Sequence, residues 1–398
     1  MCIRRAFASL AAIAPLLVVV PVAPPVNAVA AEPQWGPPVL VATDVQPAQS
    51  VSTADGTIST VAREMSGASA KTPLVLLRRA PSGRWSRTRL PYAGSPAAVA
   101  DDGRTTFLLF TVDAPGLMEL RIAKVPHGGT PSVSRLLDRG EHLGSGPSLI
   151  ARDGRWWAAW VMANGRVARP AAPVDFVYTL REARTVLPAY GTRPLLRGAA
   201  TDNTGLVPAA GLSPKLVWRG PSQVLMTLDR PGFTEFWAAN LPQGFHRTRY
   251  RVANHNPTQP GGSSTSVMTI GTRTLLAYVR GGRTVFAHDN ADLHFTERVL
   301  FPTTAGSSSL LAASGGRIFL GHNRCFTFFG GFTCRGYVAS GGLTGAFRNM
   351  TDLTAPFAVR IPDTRSGLSG LAAIRGRATA LLSDGSGGTY TRDERRIP

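Results

Sequence analysis

The sequence predicts an all-β chain built from seven copies of one four-stranded unit, and three observations carry that expectation. Between Asp55 and Arg377, small or polar residues, a short apolar run, a glycine-centred turn and a second apolar run recur seven times. The turns fall at Asp55-Gly56-Thr57, Asp102-Gly103-Arg104, Asp153-Gly154-Arg155, Arg219-Gly220-Pro221, Gly271-Thr272-Arg273, Gly316-Arg317 and Gly376-Arg377, with glycine spacings of 47, 51, 66, 51, 45 and 60 residues. Helical periodicity is close to absent. Strand-rich units recurring at roughly 40 to 50 residues predict a β-propeller, because one sheet cannot bury both faces alone and must stack on its neighbours.

The chain opens on an export signal. Arg4-Arg5, an apolar stretch over residues 6–20 and the small-residue run Ala28-Val29-Ala30 place cleavage before Ala31. That stretch is shorter than the ~20 residues a membrane span needs, and it runs into Pro21, Pro24 and Pro25. Arg4-Arg5-Ala6-Phe7 also fits the twin-arginine pattern, so either export route remains open. No other segment is apolar and long enough to cross a bilayer, so the mature chain is expected outside the cytoplasm without a transmembrane segment.

Each glycine hairpin is followed by a third and a fourth apolar run. In chain order these are 74–77 with 84–90, 120–125 with 132–137, 176–180 with 185–187, 236–240 with 248–252, 284–288 with 295–300, and 337–340 with 347–353. The last copy offers strands near 368–374, 378–382 and 388–392, then the chain ends. Its missing fourth strand is available at the other terminus, in Pro38-Val39-Leu40-Val41-Ala42-Thr43, and this closure removes an exposed sheet edge. A mature length of 398 − 30 = 368 residues divides into seven units of about 53, which fits one domain over 31–398. Six blades with one over-read repeat is the alternative count, since the fourth turn contains Pro221.

Forty-three basic against 24 acidic residues give +19, and removing Arg4 and Arg5 leaves 41 − 24 = +17. Such an excess favours an anionic polysaccharide or another cell-envelope component. Lysine occurs only at Lys71, Lys124 and Lys215, and the arginines are scattered with no dense basic run, so no specific nucleic-acid partner is expected. Cys2 leaves with the signal, and Cys325 with Cys334 make one bridge the simplest outcome in an oxidising compartment. The seven histidines show no metal-ligand spacing, and neither a metal nor another cofactor is expected. A monomer is the expected state.

Ala80-Pro81-Ser82-Gly83-Arg84-Trp85, the octapeptide ending at Phe295 and that ending at Phe347 resemble worn copies of the Asp-box turn of sialidase-like propellers. The resemblance covers most of the mature chain as architecture. It implies a working face formed by the loops leading into each blade and those joining its second and third strands, with the glycine turns on the back. Asp55, Asp102 and Asp153 then serve only as turn formers. A sialidase proper also needs three arginines around a carboxylate, a tyrosine nucleophile paired with a glutamate, and an acid aspartate. Arg360-Ile361-Pro362 is similar to that family's arginine-isoleucine-proline motif, but it precedes the last repeat instead of sitting in the first. Tyr190 and Tyr278 lie nearest the expected working face, and neither has an evident glutamate companion.

For general acid-base chemistry the candidates are Glu64, Glu141, His142 and Asp229. For ligand binding they are Arg230, Arg324 and the clipped loop bearing Phe326, Phe328, Phe329 and Phe332, because a bridge lowers the ordering cost of presenting aromatic faces. Trp156, Trp157 and Trp160 read as core between blades. Residues 188–213 read as an irregular insertion able to cap the ring. The sequence therefore favours an exported propeller that binds a glycan, wall polymer or protein through its loop face. The alternative is a glycoside hydrolase or polysaccharide lyase of sialidase-like architecture.

Overall fold

A computed structural model of the chain describes residues 35–395, apart from 66–71, 144–145, 168–173, 186–189, 203–212, 231–232, 241–242, 254–264, 291, 303–308, 329–330, 345, 356–366 and 385–386. The expected export signal, residues 1–30, and Arg360-Ile361-Pro362 lie outside the described residues.

Twenty-nine strands form seven antiparallel sheets, and no α-helix occurs among the described residues. Blade 1 runs Val45–Ser52, Ile58–Glu64, Pro73–Arg79 and Trp85–Ala93 in spatial as well as chain order. The innermost strands of the seven blades are Val45–Ser52, Ser95–Asp101, Ser148–Arg152, Ser213–Arg219, Ser266–Ile270, Ser309–Ser314 and Gly367–Ile374. Each touches the next, and the last returns to the first, so the blades close into a ring. Five of these strands begin with serine, a small residue suited to the crowded axis.

Closure follows the arrangement that the sequence predicts. Blade 7 contributes Gly367–Ile374, Arg377–Ser383 and Thr389–Asp393, and its outer strand is the N-terminal Val39–Ala42. Val39 pairs with Thr391 and Leu40 with Tyr390. Every innermost strand turns into its neighbour at one of the seven predicted glycine hairpins. At Asp153-Gly154 both turn residues take positive φ, 53° and 73°, the mirror-image turn whose twist matches that of the strands it joins.

The core is divided among the gaps between blades. Phe107, Trp156 and Trp160 pack between blades 2 and 3, while Trp157, Leu216 and Met226 pack between blades 3 and 4. Corresponding clusters fill every gap, and the thinnest is that between blades 5 and 6, where the fully buried apolar set is Leu275, Phe286 and Ile318. The three tryptophans are thus core, as expected.

One segment departs from the sequence reading. Thr185 ends the third strand of blade 3 instead of opening the fourth, 186–187 lie outside the described residues, and 190–202, within the expected irregular insertion 188–213, is a strand. Val174–Thr185 is a single long strand, and Tyr190–Asp202 pairs along its length as the fourth. Ladder pairing with a long neighbour overrides the weak strand preference of Gly191, Gly198, Ala199 and Ala200.

Much of the basic charge sits on outer strands. Arg87 and Arg89 in blade 1, Arg247, Arg249 and Arg251 in blade 4 and Arg298 in blade 5 are exposed. Charged side chains along a free edge oppose edge-to-edge pairing with another chain.

Candidate functional site

The glycine-turn face is laced between blades. The Asp102 carboxylate accepts from the amides of Arg104 and Thr105 in its own turn, and from Gly154 N at 2.7 Å in the next blade. Arg219 reaches Asp289 at 3.0 Å between blades 4 and 5, and Arg317 grips Glu394 at 2.8 Å between blades 6 and 7. Asp55 is likewise tied to Thr53 and Thr57, and these hydrogen bonds hold its carboxyl below the usual range. These carboxylates and guanidinium groups are committed to turns and to ties between blades.

On the opposite face the four acid-base candidates do not converge. Glu64 is paired with Arg87 at 3.2 Å and Arg89 at 3.1 Å on the outer strand of its own blade. Glu141, half-buried, is fixed through its backbone amide to Ala163 O, and His142 pairs with Ala163 in the short strand His142–Leu143. Asp229 ends the second strand of blade 4, Gln223–Arg230. No described contact joins any two of these residues.

Asp229 is nonetheless the most perturbed of them. It is 6% exposed and accepts from the Thr234 hydroxyl at 2.7 Å and from Thr265 N at 2.7 Å. Burial pushes its carboxyl up, and burial also pulls down the ammonium of Lys215, whose charge acts on Asp229. The register explains their meeting: Ser213 faces Asp229 and Lys215 faces Thr227, so Lys215 and Asp229 share one face of adjacent strands. Gly146, in the connection leading into blade 3, has φ +61° and would bring a Cβ to 3.0 Å from Lys215 Nζ. A carboxyl and an amine buried together with hydroxyls are suited to holding polar groups at the inner end of blade 4. A second carboxylate for two-carboxylate glycoside chemistry is absent from their described contacts.

Tyr278, for which the sequence shows no evident glutamate companion, has one in Glu297. Tyr278 OH donates to Glu297 Oε1 at 2.5 Å, and Arg280 holds Oε2 at 2.6 Å. However, the Tyr278 ring packs between blades 4 and 5, and Glu297 lies on the outer strand Phe295–Pro302. Burial first, then the hydrogen bond to Glu297, raises the phenol far above its ordinary value, which is opposite to what a nucleophile needs.

Blade 6 carries a long hairpin on the loop face, made of Arg317–Phe328 and Gly331–Gly341. Its ladder pairs His322 with Tyr337, Arg324 with Arg335, Cys325 with Cys334, Phe326 with Thr333 and Phe328 with Gly331. Cys334 is disulfide-bonded. Strand alternation puts positions 322, 324, 326 and 328 on one face of the hairpin. Phe332, opposite Thr327, falls on the other face with the cysteine positions, and Phe329 lies outside the described residues.

The root of the first face is visible in detail. His322, 1% exposed, is stacked between Phe301 at 4.7 Å and Tyr337 at 5.4 Å, and neither ring nitrogen has a hydrogen-bond partner among the described residues. Burial, with the nearby Arg324 charge, lowers its pKa to about 4. Arg324 lies 5.7 Å over the Tyr337 ring, and Arg335 pairs with Asp352 at 3.6 Å. Two arginines directly opposite each other across a ladder begin about 5 Å apart at Cβ, a like-charge pairing that the Asp352 carboxylate beside Arg335 offsets. Arg335 and Tyr337 were not singled out from the sequence, although a hairpin centred near Phe329 brings both to this face. The Arg230 side chain lies outside the described residues.

Among the described residues no group of three or more His, Cys, Asp or Glu is placed to hold a metal ion, and no helix is long and apolar enough to cross a membrane. No protein-family profile and no curated protein matches this sequence. Solved structures give backbone similarity. An alpha-L-arabinanase of Penicillium chrysogenum is 9% identical over 90% of this chain and 98% of its own, with a TM-score of 0.45. An alpha-L-arabinofuranosidase of Fusarium graminearum is 10% identical over 91% and 98%, at 0.46. The six-bladed Aleuria aurantia lectin is 9% identical over 78% and 96%, at 0.45. At this level no residue role transfers to the present chain.

Proposed function

We propose that this chain is an exported propeller that binds an acidic glycan or envelope polymer through its loop face, chiefly on the blade 6 hairpin, without turning it over. The observation that carries the reading is the register that sets Arg324 and Arg335 opposite each other on the face shared with Phe326 and Phe328. Guanidinium groups match carboxylate and sulfate geometry, and aromatic rings stack on sugar faces. A bridge from Cys325 to Cys334, the residue facing it, stiffens that face and lowers the entropy lost on binding. A binding role rather than a hydrolytic one is supported by the separation of Glu64, Glu141 and Asp229, and by the proton-retaining Tyr278.

The test is a glycan array probed with the mature chain, run beside fluorogenic glycosides that include sialosides. Retention of uronate-containing or sulfated glycans with no turnover is the expected result. Turnover that is lost in Asp229→Asn would establish the hydrolase instead.

A further inference from the structure

The outer edges of blades 3 and 4 hold a second concentration of arginine that the hairpin does not involve. Blade 4 ends in the strand His246–Ala253, whose Arg247, Arg249 and Arg251 are all exposed. Arg247 stands opposite Trp237 and Arg251 opposite Glu235, so both share the sheet face turned to blade 3, and Arg249 lies in the bulge between them. From blade 3, Arg184 donates to Gln243 O at 2.8 Å, and Arg193 reaches the same turn at Gly244. Arg184, Arg193, Arg247 and Arg251 therefore follow one groove from the blade 4 turn outward, with Arg247 and Arg251 about 7 Å apart along the sheet because their partners Trp237 and Glu235 are two residues apart. Arg249 leans over Tyr250, whose ring packs toward blade 5.

The carboxylates near this groove are already engaged. Glu182 accepts the Trp157 indole at 2.9 Å, and Glu235 accepts the Trp237 indole at 3.0 Å and Arg247 at 2.6 Å, both from buried positions. Arg251 lies 4.7 Å over the Phe233 ring and Arg249 5.5 Å over Tyr250. Neither has a carboxylate partner among the described residues. Edge protection requires only charge. Here the guanidinium groups are bedded on rings, which fixes their direction and lowers the cost of ordering them on a ligand.

We propose that this groove docks a linear acidic polysaccharide bearing carboxylate or sulfate groups, an inference that rests on reading the chain as a glycan binder. Charge complementarity selects a polyanion. A single-stranded nucleic acid is disfavoured because no aromatic side chain among the described residues is largely exposed as a stacking platform.

The test elutes the mature chain from immobilised dextran sulfate and polygalacturonate over a salt gradient. Arg251→Ala is expected to weaken retention severalfold and to reduce the salt slope by about 1, with an unchanged melting temperature. Arg298→Ala, on the outer strand of blade 5, is the control expected to leave both unchanged. Retention of full affinity and slope by Arg251→Ala overturns the inference. So does a single-stranded DNA oligomer that binds equally well and is lost in the same variant. Failure of the hairpin reading is separately visible: short acidic oligosaccharides would then bind Arg324→Ala as well as the parent, while polymer elution still responds to the groove variant.

Discussion

Tyr278 and Glu297 meet at 2.5 Å, linking a ring packed between blades 4 and 5 to a carboxylate on the outer strand of blade 5. The phenol keeps its proton because burial and the carboxylate both disfavour the phenolate. Tyr278→Phe is therefore expected to destabilise the chain by about 1–2 kcal/mol in urea titration and to leave glycan binding intact. Loss of a hydrolytic activity in this variant, at unchanged stability, would contradict that assignment.

His322 predicts an acid limb in stability. Its folded pKa of about 4 lies below the ordinary 6.5, so its contribution is complete above pH 6.5 and is lost as pH falls toward 4. The full loss is about 3 kcal/mol, since each tenfold change in proton affinity between the folded and unfolded chain is worth ~1.4 kcal/mol. Asp229 works in the opposite sense, because its raised pKa makes protonation easier in the folded state. Melting curves between pH 7 and pH 4 should be steeper in the parent than in His322→Phe, which keeps the stack with Phe301 and Tyr337. Identical pH dependence in the two proteins would remove His322 from the account.

Cys334 is expected to act locally. Cys334→Ser should lower hydrogen-exchange protection across 325–334 and weaken glycan binding, with a small effect on global melting, because the clipped segment lies beyond the part of the hairpin that Gly336 and Tyr337 anchor. Closing a loop of about ten residues is worth roughly 2–3 kcal/mol to that segment. A collapse of the whole fold would show instead that the hairpin props the ring.

Ring closure gives a fourth expectation. A chain beginning at Asp44 loses Val39–Ala42 and leaves the Thr389–Asp393 edge bare. It should melt at least several degrees lower and aggregate on heating, as an unpaired edge invites. A melting temperature equal to the parent's would mean that contacts such as Arg79 to Asp393, at 2.8 Å, already close the ring by themselves.

Local signals made the architecture legible. Glycine at each of seven hairpins sets where the inner pair of strands turns, and the unpaired run at Val39 to Ala42 has one vacant edge to fill. The outer strand of blade 3 was illegible because Tyr190–Asp202 is glycine- and alanine-rich and owes its form to its partner. Lys215 beside Asp229, and Arg335 opposite Arg324, follow from hairpin symmetry about Pro221 and Phe329 once the register is known. Tyr278 and Glu297 cannot be paired that way. They sit two strands apart in the sheet: Tyr278 is level with Val285 and Val299, and its long side chain reaches Glu297 diagonally, two residues along the outer strand.

Calorimetric titration of a galacturonate oligomer into the mature chain and into Arg324→Ala bears most directly on the hairpin as a binding face. Saturable binding by the parent and at least a tenfold loss in the variant, about 1.4 kcal/mol, is the predicted result. Equal affinity in the two proteins, or heat evolved only with neutral oligosaccharides, would contradict it.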